Sequence, residues 1–313
     1  MRSAPAIHDT TDQPADRGFL IAGQRVKAPK IAPGLYLVAT PIGNLGDITL
    51  RALETLAAAD WIACEDTRVT RRLTERYGIE AKLLPYHEHN AAQARPKILD
   101  KLSQGLAIAL VSDAGTPLIS DPGFKLVRDV CAAGLSVHAL PGPSSVLTAL
   151  TVAALPTNQF FFEGFLPSKQ GARRTRAGEL ARIGATLVLF ESGNRIAEAL
   201  HDLAAAMGER EAAICRELTK LHEEVRRGPL GELAAIADEL ETRGEFVLVI
   251  GPPPADSQQV SASDLDRLLT DMLQQTSVKD AVAQAAELSG RPRREVYARA
   301  LELTKQSAAD GEH

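Results

Sequence analysis

The chain has 313 residues, of which 45% are hydrophobic and 24% charged, and its formal net charge is −5. This composition is typical of a globular protein with two medium-sized domains, and the negative charge argues against bulk binding to polyanions without excluding local basic patches. No apolar run approaches the roughly 20 residues of a membrane-spanning helix. The 3 cysteines lie in apolar runs without the spacing of disulfides or a zinc site, which indicates a cytoplasmic protein.

The first 32 residues lack hydrophobic periodicity, and no apolar segment of a secretory signal follows Met1. We therefore expect a disordered leader over residues 1–32. Changes in composition divide the rest of the chain. We predict an N-terminal α/β domain at 33–156, a second α/β domain at 157–252, a linker at 253–262, a helical tail at 263–306 and a disordered end at 307–313.

Three predicted strands of the first domain end in loops rich in glycine, proline and hydroxyl residues. The strands at 35–39, 106–111 and 135–140 lead into loops at 40–46, 112–120 and 141–145. Ligands of open α/β sheets bind at the carboxyl ends of the strands, so these loops predict a binding site. None of them has the glycine pattern of a dinucleotide site or of an ATPase phosphate loop.

Two helix starts follow from the residues around these loops. Asp47 or Thr49 is expected to cap a helix that carries Leu50 on its apolar face, and Ser120 or Asp121 is expected to cap the helix after the second loop. In the second domain we predict strands at 160–165, 186–190, 212–215 and 246–250, and a helix at 230–242.

Basic side chains cluster at three places, each of which could also be an ordinary solvated helix face. The clusters are Arg68, Arg71 and Arg72; Lys169, Arg173, Arg174 and Arg176; and Arg291, Arg293 and Arg294. The last cluster lies in the tail, where two helices joined by a short glycine turn have the outline of a helix-turn-helix or of a simple packing hairpin. His87 and His89 flank Glu88, but no third ligand is evident, so we expect no metal site.

Seven motifs stand in an order that resembles the small-subunit ribosomal RNA methyltransferase I family of the tetrapyrrole methylase superfamily. They are Thr40-Pro41-Ile42-Gly43-Asn44-Leu45, Glu65-Asp66-Thr67-Arg68, Ser112-Asp113-Ala114-Gly115-Thr116-Pro117, Asp121-Pro122-Gly123, Leu140-Pro141-Gly142-Pro143, Glu163-Gly164-Phe165-Leu166-Pro167 and Arg216-Glu217-Leu218-Thr219-Lys220. The resemblance implies two α/β domains with S-adenosylmethionine bound in the cleft between them, and a homodimer. It also implies methylation of a cytidine ribose 2′-oxygen in the decoding region of 16S rRNA.

The resemblance assigns site residues by motif. The cofactor would contact Pro41, Ser112, Asp113, Ala114, Gly115, Thr116, Ser144, Ser145, Phe190, Glu191, Cys215 and Arg216. The three basic clusters would bind phosphates of the RNA on the small ribosomal subunit, so reversing Arg173 and Arg174 to Glu should weaken RNA binding. Two departures from the family pattern are Gly193-Asn194-Arg195, where a His-Arg pair is usual, and Gly251, where a glutamate is often found.

A ribose 2′-hydroxyl must lose its proton when it is methylated, so a nearby base is expected. The candidates are Glu217 with Lys220, which we prefer, and Asp66, His87 and Glu88. A structural ion pair is the competing interpretation of Glu217 and Lys220. The rival functions are a methyltransferase of tetrapyrroles and a ribosome-assembly factor that binds S-adenosylmethionine without catalysis.

Overall fold

The computed structural model describes residues 17–254 and 262–310, and the expectation of a disordered leader is wrong for its described part. There β1 (Gly18–Ile21) and β2 (Gln24–Lys27) form an antiparallel hairpin. The Phe19 side chain is 1% exposed in the core of the first domain, and the Leu20 N–H donates to the Tyr77 carbonyl at 2.7 Å. Residues 1–16 and 311–313, and most of the expected linker, lie outside the described residues.

The first domain is built on a parallel five-stranded sheet in the order β5-β4-β6-β3-β7. Its strands are β3 (Gly34–Val38), β4 (Trp61–Cys64), β5 (Leu83–Pro85), β6 (Ala107–Val111) and β7 (Val137–Leu140). Its helices are α1 (Leu50–Ala58), α2 (Thr67–Arg76), α3 (Ala91–Ser103), α4 (Phe124–Ala132) and α5 (Ser145–Val152). Because the strands are parallel, the loops that follow them all leave from one edge of the sheet.

One expected helix start in this domain is confirmed and one is wrong. Thr49 caps α1, and its hydroxyl accepts a backbone N–H at 3.1 Å, but Leu50 is 62% exposed because it lies in the outermost turn. The residue before α4 is Gly123, whose φ of 147° is accessible to glycine, and neither Ser120 nor Asp121 caps that helix.

The second domain has a mixed five-stranded sheet in the order β11-β10-β12-β9-β8, in which only the β8–β9 pair is parallel. Its strands are β8 (Phe160–Phe165), β9 (Thr186–Ser192), β10 (Glu211–Arg216), β11 (Glu224–Pro229) and β12 (Glu245–Ile250). Its helices are α6 (Gln170–Leu180), α7 (Ile196–Met207) and α8 (Leu230–Ala235). The sequence pattern does not predict β11, and the predicted helix at 230–242 ends at Ala235 before a single 3-10 turn.

Helix α5 of the first domain packs on the sheet of the second domain and joins the two units. Its apolar residues Val146, Ala149 and Leu150 share one buried cluster with Val188 and Val247. Since α5 follows directly from the loop at 141–144, this packing also fixes that loop against the second sheet. The two α/β domains therefore enclose a cleft along the loop edge of the first sheet.

The described part of the tail consists of three helices, in line with the predicted helical tail. They are α9 (Ala262–Leu273), α10 (Val278–Ser289) and α11 (Arg293–Asp310), and they bury Leu269 and Val296 in a core of their own. The Ser277 hydroxyl caps α10, and Gly290 ends it in the left-handed conformation with a φ of 65°. Short turns and a shared core give the compact helix-turn-helix outline that the sequence indicated.

Candidate active site

Three loops from the strand ends of the first sheet are joined by short hydrogen bonds. Thr40 and Gly115 exchange both backbone hydrogen bonds at 2.9 Å, and the Thr40 hydroxyl donates to the Ser112 carbonyl at 3.2 Å. The Thr116 hydroxyl donates to the Pro143 carbonyl at 3.1 Å, which links the loop after β6 to the loop before α5. The three loops predicted as ligand-binding elements therefore form one continuous wall.

The wall faces a cleft of about 400 Å³ between the two domains. The first domain contributes Ile42, residues 113–116, Ile119, Ser120, Asp121 and residues 144–146, and the second contributes Phe165, residues 190–192, Leu218 and residues 244–247. A cleft of this size at the loop edge of an α/β sheet is typical of sites for small organic ligands.

The backbone on the first-domain side of the cleft adopts unusual conformations. Gly115 has a φ of 77°, and the non-glycine residues Leu118 and Ser120 have φ values of 76° and 63°. Left-handed conformations cost free energy for residues with a side chain, and they cluster at functional sites. Ser120 also packs closely on Gly164 of β8, where an added Cβ would lie 3.0 Å from the Ser120 hydroxyl oxygen. The strained turn thus contacts both domains.

The second-domain side of the cleft combines aromatic rings with a buried carboxylate. The rings of Phe165 and Phe190 pack edge to face with centroids 5.6 Å apart, and Phe165 is 53% exposed. The Glu191 side chain is 1% exposed, and its Oε2 atom has no hydrogen-bond partner among the residues that the structure describes, although the Arg195 guanidinium lies 3.5 Å away. A buried acceptor without a donor in the wall of a cleft is suited to receive a donor from a ligand.

Four carboxyl groups surround the end of β6, and their pKa values differ. Burial, together with the charges of Glu65 and Asp113, raises the pKa of Asp121 to about 6 against the opposing Ser112 hydrogen bond. Burial also raises the pKa of Asp113. In contrast, hydrogen bonds from Arg68 lower the pKa of the Asp66 carboxyl to about 2. Asp113 and Asp121 are therefore better proton acceptors near neutral pH than Asp66 is.

Glu217 and Lys220 form an ion pair that contacts the first domain. The Lys220 ammonium donates to Glu217 at 2.7 Å and to Glu245 at 2.8 Å. Burial acts to raise the pKa of Glu217, but the hydrogen bond from Lys220 acts in the opposite direction and the pKa lies below its usual value. The aliphatic part of Lys220 lies so close to Gly43 that a Cβ there would stand 2.3 Å from the lysine Cγ. We call this group, comprising Gly43, Glu217, Lys220 and Glu245, the Lys220 clasp.

Of the residues predicted to contact the cofactor, most line the cleft and some do not. Those lining it are Asp113, Ala114, Gly115, Thr116, Ser144, Ser145, Phe190 and Glu191. Pro41 and Ser112 line a neighbouring cavity instead. Cys215 is fully buried in the interdomain core, and the Arg216 guanidinium donates to the Arg243 carbonyl at 2.9 Å outside the cleft. The lining residues 244–247 were missed, because only the pairing of β12 with β9 brings them to the cleft.

The basic clusters differ in how accessible they are. Arg71 and Arg72 lie exposed on α2 beside Arg68, whose side chain is 85% exposed. Arg173 is 1% exposed and bonds to the Asp202 and Glu198 carboxylates at 2.7 and 2.9 Å, so its expected contact with RNA phosphate is wrong.

The remaining residues of the second and third clusters lie at or near the surface. Arg174 and Arg176 are paired with Asp202 and Glu163, Lys169 is exposed, and Arg293 and Arg294 lie exposed at the start of α11 beside half-exposed Arg291. Phosphate contacts from Arg174 and Arg176 would compete with these pairs.

Two further features concern metals and membranes. Over residues 17–254 and 262–310, no group of three or more His, Cys, Asp and Glu side chains is placed to hold a metal ion. The loop carrying His87 is instead closed by Asn90, whose Oδ1 accepts the His87 backbone N–H at 2.9 Å. None of the described helices has the length and apolar character needed to span a bilayer.

Comparison with known proteins identifies the family. The family model of the Tetrapyrrole (Corrin/Porphyrin) Methylases matches residues 34–234, and the model of the RsmI C-terminal HTH domain matches residues 259–304. A protein of Mesorhizobium japonicum named ribosomal RNA small subunit methyltransferase I is 48% identical over 94% of this chain and 99% of its own length. The chain belongs to that family. A relative of the same name from Vibrio cholerae is 46% identical over 88% of this chain and 96% of its own.

Solved structures show the same fold at much lower sequence identity. A cobalt precorrin-4 methyltransferase is 17% identical and aligns with a TM-score of 0.53 over 69% of this chain and 94% of its own. The uroporphyrin-III-C-methyltransferase of Thermus thermophilus is 20% identical, with a TM-score of 0.51 over 70% of this chain and 94% of its own. These similarities confirm the expected tetrapyrrole methylase fold, and the tail match confirms the expected helix-turn-helix-like end.

Proposed function

We propose that this protein methylates the ribose 2′-oxygen of a cytidine in the decoding region of 16S rRNA. The broader activity, methylation of small-subunit ribosomal RNA, is the one for which its relatives are named. The observation that carries the proposal is the cleft itself, formed by three joined loops of one domain and the edge of the other. Loss of a proton and gain of a methyl group at a hydroxyl require only a bound donor, an oriented acceptor and a base.

S-adenosylmethionine is the methyl donor, and the residues of the cleft suit it. Phe165 and Phe190 offer apolar surface for an adenine ring, and the unpartnered Oε2 of Glu191 can accept a hydrogen bond from a hydroxyl or ammonium group. Gly115 leaves room for the ligand beside Ile42. When bound, the donor supplies a methyl group on a positively charged sulfur that leaves as a neutral thioether. The chain itself has only to orient the reactants and accept a proton.

We assign Glu217 and Lys220 to holding the domains together rather than to proton transfer. Both charges are already neutralised within the Lys220 clasp, and Lys220 also has Glu245 as a partner. Glu217 and Thr219 adopt left-handed backbone conformations, with φ values of 50° and 66°, which bring this turn against the first domain. Asp66 is a poor candidate base for a similar reason, because Arg68 holds its carboxylate at 2.6 Å.

The RNA would contact exposed cations on one side of the cleft and on the tail. Arg71 and Arg72 of α2 make no ion pair with any residue that the structure describes, and Lys169 is exposed at the start of α6. Arg293 and Arg294 border a tail cavity that also contains the half-exposed ring of Tyr297. Cations beside an aromatic ring favour single-stranded RNA, because phosphates and bases can both be bound. Such local charge compensates for the overall negative charge of the chain.

A homodimer in the cytoplasm is the assembly and location that we propose with this activity. Light scattering of the purified protein tests the dimer, and a mass equal to one chain would contradict it. The location follows from the substrate, since small ribosomal subunits assemble in the cytoplasm.

The proposed reaction can be tested with subunits that lack the modification. Small subunits from a strain without the gene are incubated with purified protein and methyl-labelled S-adenosylmethionine, and nuclease digests are analysed by mass spectrometry. We expect 2′-O-methylcytidine from one position of the decoding region. Label on a base, or no label in RNA together with methylation of uroporphyrinogen, would contradict the proposal. If a variant unable to bind the donor restored normal small subunits in the strain without the gene, the result would favour an assembly factor.

A further inference from the structure

A second cavity of about 250 Å³ lies directly beside the cofactor cleft. We call it the α2 pocket, because helix α2 forms one side and the loops after β3 and β6 form the other. Its lining includes Pro41, Gly43, Val69, Arg72, Ser112 and Asp113. Pro41, Gly43 and Ser112 belong to two motifs that also contribute to the cofactor cleft, but these three residues do not line the cleft themselves.

Asp113 is a wall residue of both cavities. Methyl transfer requires the acceptor oxygen to approach the methyl carbon closely, so the two reactants must occupy adjoining sites. A group that borders both sites is placed where the reacting atoms meet. A carboxylate in this position can take a proton from the acceptor at the moment when the new bond forms.

The chemistry of the α2 pocket fits one nucleotide. Pro41, Val69 and Leu73 supply an apolar lining for a base, and Thr70 supplies a hydroxyl. Arg72 stands in the lining as a cation without a carboxylate partner among the described residues, so it is available for a phosphate. A pocket with an apolar lining and one cation, beside the site of the methyl donor, is suited to a single nucleotide whose base has been unstacked from its neighbours.

The carboxylate of Asp113 is held in a defined orientation. Its Oδ1 accepts the Asp66 backbone N–H at 3.0 Å, whereas no hydrogen bond among the described residues uses Oδ2. Burial raises the pKa of Asp113, helped by the neighbouring Asp66 charge, and the Asp66 backbone hydrogen bond and Arg68 oppose this shift without cancelling it. One oxygen therefore positions the group, and the other remains available as an acceptor of stronger basicity than an exposed carboxylate.

We propose that the α2 pocket receives the target cytidine and that Asp113 takes the proton of its ribose 2′-hydroxyl. The inference rests on the proposed 2′-O-methylation. The ribose oxygen forms its bond to the methyl carbon while the bond between that carbon and sulfur breaks, and the bonding pair stays on sulfur. The hydroxyl proton passes to Asp113, which releases it to water once the product has left.

The proton-accepting residue is tested with Asp113→Asn in the full chain. The amide oxygen can still accept the Asp66 N–H, so a purely structural function is preserved while the base is lost. We expect the single-turnover rate on small subunits to fall at least about 100-fold, the scale of general base catalysis. Binding of S-adenosylhomocysteine, measured by calorimetry, should change by less than about threefold. A rate within fivefold of the wild type would overturn the assignment.

The pocket is tested independently with Val69→Trp, which fills it from α2. A matched control is Val26→Trp on the β1–β2 hairpin, since the two valines are 37% and 39% exposed. Only Val69→Trp should abolish methylation while retaining affinity for S-adenosylhomocysteine. Arg72→Glu should raise the KM for RNA at least tenfold, and Arg76→Glu, one turn further along the same helix, should not.

The outcomes separate this inference from the proposed function. If wild-type protein produces 2′-O-methylcytidine and Val69→Trp is as active as the wild type, the α2 pocket is not the nucleotide site. If wild-type protein labels a different atom of the RNA, the proposed function fails first, and the digests of the same reactions show it. Loss of S-adenosylhomocysteine binding in Asp113→Asn would instead assign Asp113 to the donor and overturn its use as the base.

Discussion

Gly115 belongs to the wall that the three loops form and lines the cofactor cleft. Its φ of 77° is strained for any other residue, and a Cβ would lie 3.4 Å from the Ile42 side chain. Gly105 has a similar φ of 81°, but a Cβ added there would have nothing within 4 Å. The two glycines therefore carry the same backbone requirement and differ only in what surrounds them.

This pair gives the first prediction. Gly115→Val and Gly105→Val should each lose about 1–2 kcal/mol of stability from the left-handed backbone. Only Gly115→Val should weaken S-adenosylhomocysteine binding, by at least about tenfold, because its side chain enters the cleft. Thermal denaturation and calorimetry of both variants measure the two effects. Equal affinity in the two variants would mean that the cleft does not hold the donor.

Asp121 gives a prediction about pH. Its pKa in the folded protein is about 6, above the usual 3.8, so the folded state disfavours the charged carboxylate. Well below pH 3.8 the group is largely protonated in both states and has little effect. As the pH rises from there through 6, the unfolded state ionises first and the folded state loses stability relative to a neutral group, by about 1–2 kcal/mol after allowance for partial exposure. Asp121→Asn should therefore be more stable than wild type at pH 8, and this advantage should be much smaller at pH 4.

The measurement is the difference in melting temperature between wild type and Asp121→Asn at each pH. The difference reports the Asp121 charge together with its interactions with Glu65 and Asp113, because those two groups are present in both proteins. A constant difference between pH 4 and pH 8 would show that the carboxylate is not destabilised by burial.

At the scale of single residues, the sequence predicted the loops but not the opposite wall of the cleft. The positions of Gly115 and Ser144 in the cleft could be predicted, because they are glycine and hydroxyl residues in loops at strand ends. Residues 244–247 carry no such local pattern, and their place depends on the antiparallel pairing of β12 with β9. Pairing between strands distant in the chain is decided by tertiary packing, which no short sequence window contains.

Helix α6 illustrates how an element decides the use of its charges. Four basic residues crowd residues 169–176, and from the sequence they form one cationic patch. In the structure Arg173 faces inward to Asp202 on α7, whereas the Arg174 side chain is 63% exposed. The inward direction is set by the packing of α6 on α7, which buries Ala177 and Leu180 of the same face.

Truncation of these two arginines should therefore have different results. Arg173→Ala leaves the Asp202 carboxylate, 5% exposed, without its buried partner and should cost about 3–5 kcal/mol of stability. Arg174→Ala removes a largely exposed partner and should cost less than about 1 kcal/mol. Denaturant titration of the two variants measures both values. Similar costs for the two variants would contradict the assignment of Arg173 to a buried ion pair.

Two of the strands that the sequence missed, β2 and β11, have no apolar period. Strand β2 is exposed at all of its residues, and β11 is an edge strand that pairs only with β10. Buried strands such as β6 stand out as continuous apolar runs, and the prediction of that strand is confirmed. An edge strand can be polar on both faces because it is stabilised by backbone pairing on one side, so its sequence resembles that of a loop.

At the scale of the whole molecule, two of the contacts between the domains bear on the shape of the cleft. One is apolar, where α5 packs on the second sheet. The other is the Lys220 clasp, in which a lysine side chain crosses Gly43 in the loop after β3. The apolar contact supplies Val146 and Val247 to the lining of the cleft. The clasp holds the loop that also lines the α2 pocket, so it couples domain placement to the two adjoining cavities.

The clasp can be tested with a double-mutant cycle. Gly43 does not have a positive φ, so Gly43→Ala introduces no backbone strain, and its effect comes from the clash with Lys220. In the wild-type background we expect a loss of about 1–3 kcal/mol and weaker S-adenosylhomocysteine binding. In a Lys220→Ala background the clashing Cγ and Cε atoms are gone, and Gly43→Ala should cost at least about 1 kcal/mol less.

Lys220→Met is the matched control, because it keeps the aliphatic chain and removes the charge. If steric contact with the lysine chain fixes the loop, Gly43→Ala remains costly in the Met background and becomes mild only in the Ala background. If the ion pairs with Glu217 and Glu245 fix it instead, Met and Ala have equal effects on donor binding. Strict additivity in both backgrounds would mean that the clasp does not position the first domain. Denaturant titration and calorimetry of the six proteins distinguish these results, since stability reports the contact and donor affinity reports the shape of the cleft.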